Sequence, residues 1–394
     1  MSASQADELA LMIQTLRLSA ILLFAASLSA ASTEAAAYNF VKIVDSEGTL
    51  TGPGAGASLN NSGVVAFQGF TSAGSGVFTS NGSTITTIVE PGNSFTSIGS
   101  TAINDSGVVA FVATADSASY GLYTGSGNGL TTVVAPNGPV LPFGDVSINN
   151  NGAIAYSGAG NSLASTGVYK HIGGMSTQLA NAAGSFRDFG GPEINDAGDV
   201  TFYAAHDAVN TTGFYKVPNG QVRETIVEGL GTFNPQIRPS LNNAGTIAFT
   251  YANQQLGYGV FTYNNGAIAK VLNTAGPFKE FSQTVDVNNQ GVIAFTGTLD
   301  NNVRGIYVGS DPVNDKVIEV GGSLFGSKVT EIYNTPNINN RGDVIFYYQL
   351  ANGTTGLALA RAVPEPAAGS LAIVSLAVVA LRRRTIPVTT SQLR

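Results

Sequence analysis

The stretch INDSGVVAF at residues 103–111 decides the fold, because related stretches occur seven times along the chain. Counted from Gly63 to Gly107 and onward to Gly342, the steps are 44, 45, 46, 47, 46 and 51 residues. A period of about 40–50 residues with short apolar segments is the length of one four-stranded propeller blade. The other six motifs are LNNSGVVAF at 59–67, INNNGAIAY at 148–156, INDAGDVTF at 194–202, LNNAGTIAF at 241–249, VNNQGVIAF at 287–295 and INNRGDVIF at 338–346.

Each motif contains an Asn-Asx-x-Gly segment that predicts a tight turn between two strands. The Asn side chain can bond the nearby backbone, and glycine accepts the left-handed conformation that such a hairpin needs. We therefore predict seven structural turns rather than seven ligand sites. Their defining residues are Asn60 and Gly63, Asn104 and Gly107, Asn149 and Gly152, Asn195 and Gly198, Asn242 and Gly245, Asn288 and Gly291, and Asn339 and Gly342.

The residues after each glycine predict strands that are covered on both faces. Val109 and Phe111 share one face of their strand, and Val108 and Ala110 share the other. Apolar residues on both faces are typical of a blade stacked between two blades. A second aromatic, in a Gly-x-aromatic element, is predicted to pack between blades: Phe78, Tyr123, Tyr169, Tyr215, Phe261 and Tyr307, with Ala358 in its place in the seventh repeat.

The two ends of the repeat region predict how the ring closes. The last repeat ends at GLALA (356–360) with no further strand, whereas FVKIVD (40–45) precedes the first motif as TTIVE (86–90) precedes the second. The N-terminal strand should complete the seventh blade and remove the exposed edges. The sequence thus predicts an all-β, seven-bladed β-propeller over residues 38–362; an open β-solenoid is the alternative.

Residues 1–37 predict a secretory signal peptide with an apolar helix. Arg17 precedes the apolar run LSAILLFAASLSA (18–30), and small residues follow it. Cleavage is expected between Ala30 and Tyr38. The acidic pair at positions 7 and 8 fits a signal peptide poorly, so Met12 is an alternative start, and a buried core helix is the alternative structure.

Residues 363–394 predict a membrane-directed tail. The order is Pro364, Glu365 and Pro366, then AAGSLAIVSLAVVAL (367–381), then Arg382, Arg383 and Arg384. As a transmembrane helix the apolar run would span roughly 22 Å, which is short of the ~30 Å hydrocarbon core but workable with flanking residues and some thinning. The arginine cluster should stay cytoplasmic, which places the preceding chain across the inner membrane.

This order of elements resembles the PEP-CTERM sorting signal of Gram-negative bacteria. The resemblance implies an exosortase as partner, transient contact with the inner membrane through 367–381, and removal of the helix near Pro364 to Pro366. It also implies release or attachment in the cell envelope, often alongside exopolysaccharide production. The extension 385–394 departs from the pattern, and an ordinary single-pass anchor is the alternative. The repeats resemble tandem N-x-x-G-x-x-A-F surface proteins, which implies an architecture and an envelope location but no activity.

Composition excludes several classes of function. With no cysteine, an exported chain cannot form disulfides. A net charge of −7 with 11% charged residues leaves no basic patch, so we predict no nucleic-acid partner. The two histidines, His171 and His206, lie in no catalytic or zinc-type pattern and are predicted to be surface loop residues.

No cofactor is predicted, with calcium as the alternative. Asp196 and Asp199 flank Gly198, and Asp343 follows Gly342, so oxygen ligands could gather at these turns. Most repeats lack the second carboxylate. Residues 49–169 carry only four charged residues, which suits contact with neutral polysaccharide or with copies of the chain, although simple drift in a low-charge secreted protein is the favoured explanation.

We therefore expect a non-enzymatic scaffold, exported to the cell envelope or beyond, that binds exopolysaccharide or surface proteins. The alternative is a propeller hydrolase or lyase acting on polysaccharide. That alternative requires acidic, arginine and tyrosine residues gathered at one end of the channel, such as Arg187, Arg238, Glu228 and Tyr251.

Overall fold

A computed structural model describes residues 37–363, apart from 55, 93–94, 116–118, 207–210, 230–237 and 254–256. The predicted signal helix and the sorting tail, with Pro364 to Pro366 and Arg382 to Arg384, lie outside the described residues. Within these residues no helix is long and apolar enough to cross a membrane.

The described chain folds into seven antiparallel sheets in sequence order, one for each repeat. We number the strands of a blade from the channel outward. Blade 1 comprises Gly52–Pro53 with Ser58–Leu59, Val65–Thr71, Gly74–Ser80 and Ile85–Val89; blade 2 Ser97–Ile103, Val109–Thr114, Tyr120–Gly125 and Leu130–Val134; blade 3 Val140–Ile148, Ile154–Gly160, Gly167–Ile172 and Met175–Asn181. Blade 4 comprises Phe186–Ile194, Val200–His206, Thr212–Val217 and Glu224–Glu228; blade 5 Ser240–Leu241, Ile247–Asn253, Gly257–Asn264 and Ala267–Asn273. Blade 6 comprises Phe278–Phe281 with Asp286–Val287, Ile293–Leu299, Arg304–Tyr307 and Lys316–Glu319.

Blade 7 confirms the predicted closure. Its strands are Ser327–Ile338 with the short Ser323–Leu324, then Val344–Leu350 and Thr355–Ala362, and the N-terminal strand Tyr38–Asp45 lies outermost. That strand runs antiparallel to Thr355–Ala362, from the pair Tyr38 and Ala362 to the pair Asp45 and Gly356. The chain is therefore a closed seven-bladed β-propeller and not an open solenoid. A 3-10 helix, Leu163–Ser165, connects the second and third strands of blade 3.

The core consists of seven apolar clusters, each lying at a seam, by which we mean the contact between two neighbouring blades. Val109 and Phe111 pack against Ala66 of blade 1, whereas Ala110 packs against Tyr156 of blade 3. The two-faced pattern predicted after the motif glycine is thus confirmed. The cluster that joins blade 7 to blade 1 is of the same kind as the others, so the ring is packed without a gap.

The Gly-x-aromatic rings lie in these seams, as predicted. In blades 1 to 6 each stacks on the aromatic of its own motif, with ring centroids 5.4 to 6.2 Å apart. Blade 7 differs because Ala358 occupies that position. There Phe40 of the closing strand meets Phe346 edge-on at 6.0 Å, and Tyr348 packs beside it at 6.4 Å.

Candidate functional site: the central channel

The motif turns lie at one mouth of the channel and share one local geometry. In blade 2 the side-chain oxygen of Asn104 accepts hydrogen bonds from the backbone N–H groups of Ser106 and Val108, at 3.1 and 3.0 Å. Gly107 adopts φ of 79°, and the seven motif glycines fall between 75° and 84°. A residue with a Cβ is strained there, which is why glycine recurs.

The first Asn of each motif also bonds to the next blade. Its side-chain amide donates to the backbone carbonyl of the corresponding Asn in the following motif, at 2.8 to 3.2 Å. The seventh bond runs from Asn339 back to Asn60, so these bonds form a complete circle. The members are Asn60, Asn104, Asn149, Asn195, Asn242, Asn288 and Asn339.

A second circle lies beside the first. The backbone N–H of each second motif residue donates to the side-chain oxygen of its counterpart in the next blade, at 2.8 to 2.9 Å. The members are Asn61, Asp105, Asn150, Asp196, Asn243, Asn289 and Asn340. The Asn-Asx pair therefore connects blades as well as shaping turns, which we call the double ring.

The double ring surrounds a polar cavity of about 200 Å³. The carboxylates of Asp105 and Asp196 lie here and both accept hydrogen bonds from the side-chain amide of Asn150, at 2.9 and 3.0 Å. The mouth is thus a fixed array of amide and carboxylate groups that are engaged with one another.

A second cavity of about 200 Å³ lies deeper in the channel. Its wall includes the residue that precedes the motif in six of the seven blades, since alternation along the first strand turns that side chain inward. Unlike the motif, this position differs from blade to blade. The seven residues at this position are Ser58, Ala102, Ser147, Glu193, Ser240, Asp286 and Asn337, and all of them except Ser240 line the cavity.

Two of these residues are acids that form hydrogen bonds to neighbouring blades. Glu193 accepts a hydrogen bond from the backbone N–H of Leu241, at 2.9 Å. Asp286 accepts one from the backbone N–H of Ile338 at 2.8 Å and another from the Ser240 hydroxyl at 2.6 Å. Each acid thus accepts, through a longer side chain, the same backbone hydrogen bond from a neighbouring blade that a serine accepts at this position in other repeats.

An ion pair crosses the same cavity. Arg238 of blade 5 lies 3.2 Å from Asp145 of blade 3, which also accepts a hydrogen bond from Ser100 at 2.6 Å. Gly191 of blade 4 lies between them, and a Cβ at that position would come within 2.3 Å of the Arg238 Cβ. The glycine gives Arg238 the room to reach past blade 4.

The charged groups alter each other's protonation. Burial, and then the charge of Asp286, raise the pKa of Glu193 to about 8, although the Leu241 N–H and Arg238 oppose the shift. Burial also raises the pKa of Asp286, against its hydrogen bonds from Ser240 and Ile338. Each carboxyl group of the pair therefore holds its proton to a higher pH than an exposed carboxyl group does. The cavity can exchange a proton with a bound molecule and offers hydrogen-bond donors and acceptors on one wall.

The opposite wall of this cavity is formed by small side chains and carries almost no charge. Blades 1 and 2 contribute Gly56, Ser58, Ser100 and Ala102. The Ser58 hydroxyl oxygen is buried and has no hydrogen-bond partner among the described residues.

The carboxylates that could have bound calcium together instead form hydrogen bonds or ion pairs with different side chains. The carboxylate of Asp196 bonds the amides of Asn150 and Asn243, whereas Asp199 pairs with Lys216 at 3.0 Å. In the part of the chain that the structure describes, no three His, Cys, Asp or Glu side chains are grouped to hold a metal ion. Asp343 instead bonds Arg341, at 2.8 Å.

The residues that a hydrolase or lyase would require are scattered, except for one. Arg187 pairs with its neighbour Asp188, Glu228 accepts from Tyr215 at 3.1 Å, and Tyr251 is buried in the seam of blades 4 and 5. Arg238 alone of the four lines the channel.

The prediction that both histidines lie in loops was wrong. His171 and His206 belong to the strands Gly167–Ile172 and Val200–His206. His206 contacts the Tyr215 hydroxyl at 2.6 Å on the outer part of blade 4.

Sequence reasoning also missed the group of Glu193, Asp286, Asp145 and Arg238. A signal was present: Glu193 and Asp286 each stand directly before a motif, and the alternation of a strand turns that position toward the channel.

These features define a closed β-propeller with a polar, partly charged channel, and solved structures agree on the fold. Oligogalacturonate lyase from Vibrio parahaemolyticus is similar with a TM-score of 0.55 and 15% identity, over 83% of this chain and 97% of that one. An oligogalacturonate lyase in complex with manganese is similar with a TM-score of 0.52 and 10% identity, over 84% and 97%. At such identities the likeness shows the fold alone. No family model and no curated protein sequence matches the chain.

Proposed function

We propose that this chain is an exported cell-surface or extracellular-matrix protein whose propeller is a rigid, non-enzymatic scaffold for binding glycan or surface protein. The signal-like segment 1–37 and the PEP-CTERM-like tail 363–394 support export across the inner membrane and processing by an exosortase.

The double ring is the observation that carries this proposal. Fourteen residues that could have formed a site are instead hydrogen-bonded to one another around the mouth, which makes the most repeated part of the sequence structural. A rigid ring loses little conformational entropy when it binds a partner, which favours a binding platform.

The test is a binding screen of segment 38–362, which contains every strand of the closed ring. The segment is applied to a glycan array and used as bait for envelope proteins, with and without calcium. Saturable binding without shortening of the glycan is the expected result. Binding to neither class of partner would contradict the proposal.

The second candidate is a hydrolase or lyase acting on polysaccharide. It is favoured by one observation, a carboxyl group with a pKa near 8 close to Arg238 inside a channel, since raised carboxyl pKa values are typical of general acids. The discriminating measurement is the product size of oligogalacturonate and of neutral polysaccharide after incubation with the parent chain and with Glu193→Gln. Shortened products from the parent chain alone would replace the first proposal by this one.

A further inference from the structure

One end of the propeller presents exposed apolar side chains from every blade. Each first strand ends at its motif turn, and the hairpin between the third and fourth strands returns to that same end, since Val109 pairs with Gly125 and Gly125 with Leu130. We call this end the motif face and the exposed apolar residues around it the rim. In blade order from 1 to 7 the rim comprises Ile85, Leu130, Ile172 with Met175, Val222, Ile268, Val313 and Val363, which are 40 to 86% exposed.

The rim residues stand on turns that hydrogen bonds hold in place. In blade 4 the backbone N–H of Asn219 donates to the Asp199 side chain at 2.9 Å, which ties the hairpin of Val222 to the motif turn. In blade 6 the Asp311 side chain accepts a hydrogen bond from the Val313 N–H at 2.8 Å. Apolar side chains on fixed turns lose little conformational entropy when another surface covers them.

The rim is a pattern that all seven blades share. A single exposed apolar residue needs no explanation, because such residues are common on protein surfaces. Here, however, every blade places one at the same end of the ring. Among the described residues, blades 4, 5 and 6 expose no large apolar side chain on the loops at the opposite end. The two faces of the propeller therefore differ in their chemistry.

The chain leaves the propeller from the motif face. The third strand of blade 7 ends at Ala362, whose backbone N–H donates to Asp343 beside the motif turn, at 3.1 Å. Val363 follows as the rim residue of this blade. The apolar run that is predicted to cross the membrane begins at Ala367, and five Cα–Cα steps of a fully extended chain cover at most about 18 Å. A tail inserted in the bilayer therefore keeps the motif face close to the membrane surface.

A lipid surface matches this face better than a second copy of the chain does. A stable protein interface buries about 800 Å² on each partner around an apolar centre. On the motif face the centre is the polar double ring, and the apolar residues surround it. At a membrane the rim can enter the boundary between headgroups and acyl chains while the double ring stays hydrated. The ring adds little desolvation cost, because its groups already bond one another.

We propose that the motif face lies on the outer surface of the inner membrane, with the rim in the headgroup region, while the tail 363–394 is inserted in the bilayer. The proposal goes beyond the proposed function and rests on the membrane-directed tail assigned there. It also orients the propeller, because the opposite end of the channel then faces away from the membrane and is open to partners.

The experiment attaches a fluorescent label to single positions of the chain 38–394, inserted by its tail into vesicles of phosphatidylethanolamine and phosphatidylglycerol in equal amounts. Because the chain has no cysteine, each introduced cysteine is a unique attachment site. Met175→Cys, Val222→Cys and Val313→Cys report on blades 3, 4 and 6, and lipids that carry a nitroxide in the headgroup region quench a label that reaches that region. We expect all three labels to be quenched.

Leu163→Cys is the matched control, since Leu163 is 63% exposed at the opposite end of blade 3. Quenching at the rim positions should be at least about 3-fold stronger than at Leu163, because only the rim enters the headgroup region. Ser375→Cys, inside the apolar run, checks that the tail is inserted.

Quenching at Ser375 but at none of the rim positions would overturn the proposal and leave the membrane tail intact. Quenching at Val313 alone, or equal quenching at Leu163, would also overturn it, because the propeller would then touch the membrane by one edge or in no fixed orientation. A rim label that is shielded from water but not quenched by lipid would assign the face to a second copy of the chain instead. An unquenched Ser375 label would remove the tail insertion itself, and with it the membrane part of the proposed function.

Discussion

The mouth and the interior of the channel are built from the same seven first strands but follow opposite rules. At the mouth every blade presents the same Asn-Asx pair, and each pair bonds the next in the double ring. One residue earlier, the interior position changes from serine to alanine, glutamate, aspartate or asparagine. In this chain the residues that repeat in every blade close the ring, whereas the residues that differ between blades provide the chemically active groups.

Removing the closing strand should have the largest effect. Without Tyr38–Asp45 the outer edge of the third strand of blade 7 is left unpaired, and the buried Ile43 and Val44 are lost from the seam with blade 1. We expect destabilisation above about 5 kcal/mol, measured by circular dichroism during thermal unfolding. A synthetic peptide of residues 38–45 should restore part of the transition. A melting temperature equal to that of the parent would mean that the double ring alone closes the propeller.

Asn104→Ala tests the mouth directly. It removes two acceptor contacts within the turn and the donor to the Asn149 carbonyl, so we expect a loss of about 3 kcal/mol in the free energy of unfolding in urea. Ser106→Ala, an exposed change in the same turn, is the control and should cost under about 0.5 kcal/mol. Equal losses in the free energy of unfolding for the two variants would mean that the double ring adds no stability beyond the local turns.

Glu193→Gln tests the interior through pH. The folded pKa near 8 exceeds the ordinary value of 4.5, so the folded state binds this proton more tightly than the unfolded state does. Stability should therefore fall as pH rises from about 4.5 to 8, by up to about 5 kcal/mol. Burial is the main cause of the raised pKa, and of the charged groups that face Glu193, Asp286 and Asp145 raise the pKa further whereas Arg238 lowers it. The amide variant should give a flatter curve, and a parallel curve would be the contrary result.

Two serines at the same repeat position sharpen the contrast between the channel walls. Ser240→Ala removes a donor to Asp286 and an acceptor for the Val287 N–H, and should cost about 1–2 kcal/mol. Ser58→Ala removes a hydroxyl without a described partner and should change stability by less than about 0.5 kcal/mol. Both values come from one set of urea curves. A similar loss in both would show that the neutral wall engages its hydroxyl as well.

The fold was predictable because a repeat gives seven copies of the same evidence. The spacing of the glycines predicted the blade length, and FVKIVD at 40–45 predicted the closing strand. The closing strand is observed as Tyr38–Asp45, and the strand predicted after Gly107 is observed as Val109–Thr114. Both depend on local alternation, which a single sequence displays.

The channel chemistry was not predicted because it depends on distances across the ring. Arg238 and Asp145 lie two blades apart, and only the curvature of the closed ring brings them together. The double ring was missed for the same reason: Asn104 shows its local turn in the sequence, but its bond to Asn149 requires the angle between neighbouring blades. Similarly, Ala358 was seen as an exception, whereas its replacement by Tyr348 is a tertiary contact.

The closing strand also determines the order in which the molecule can fold. Tyr38 pairs with Ala362, a separation of 324 residues from position 38 to position 362. Long-range pairing of this kind slows folding, because the chain must be brought together before the contact contributes. The first strand to be synthesised is the last to find its partner, and its apolar residues stay exposed until then. In a circular permutant that carries the strand Tyr38–Asp45 at its C-terminal end, directly after blade 7, this pairing would be local. Such a permutant should fold faster and reach the same native structure.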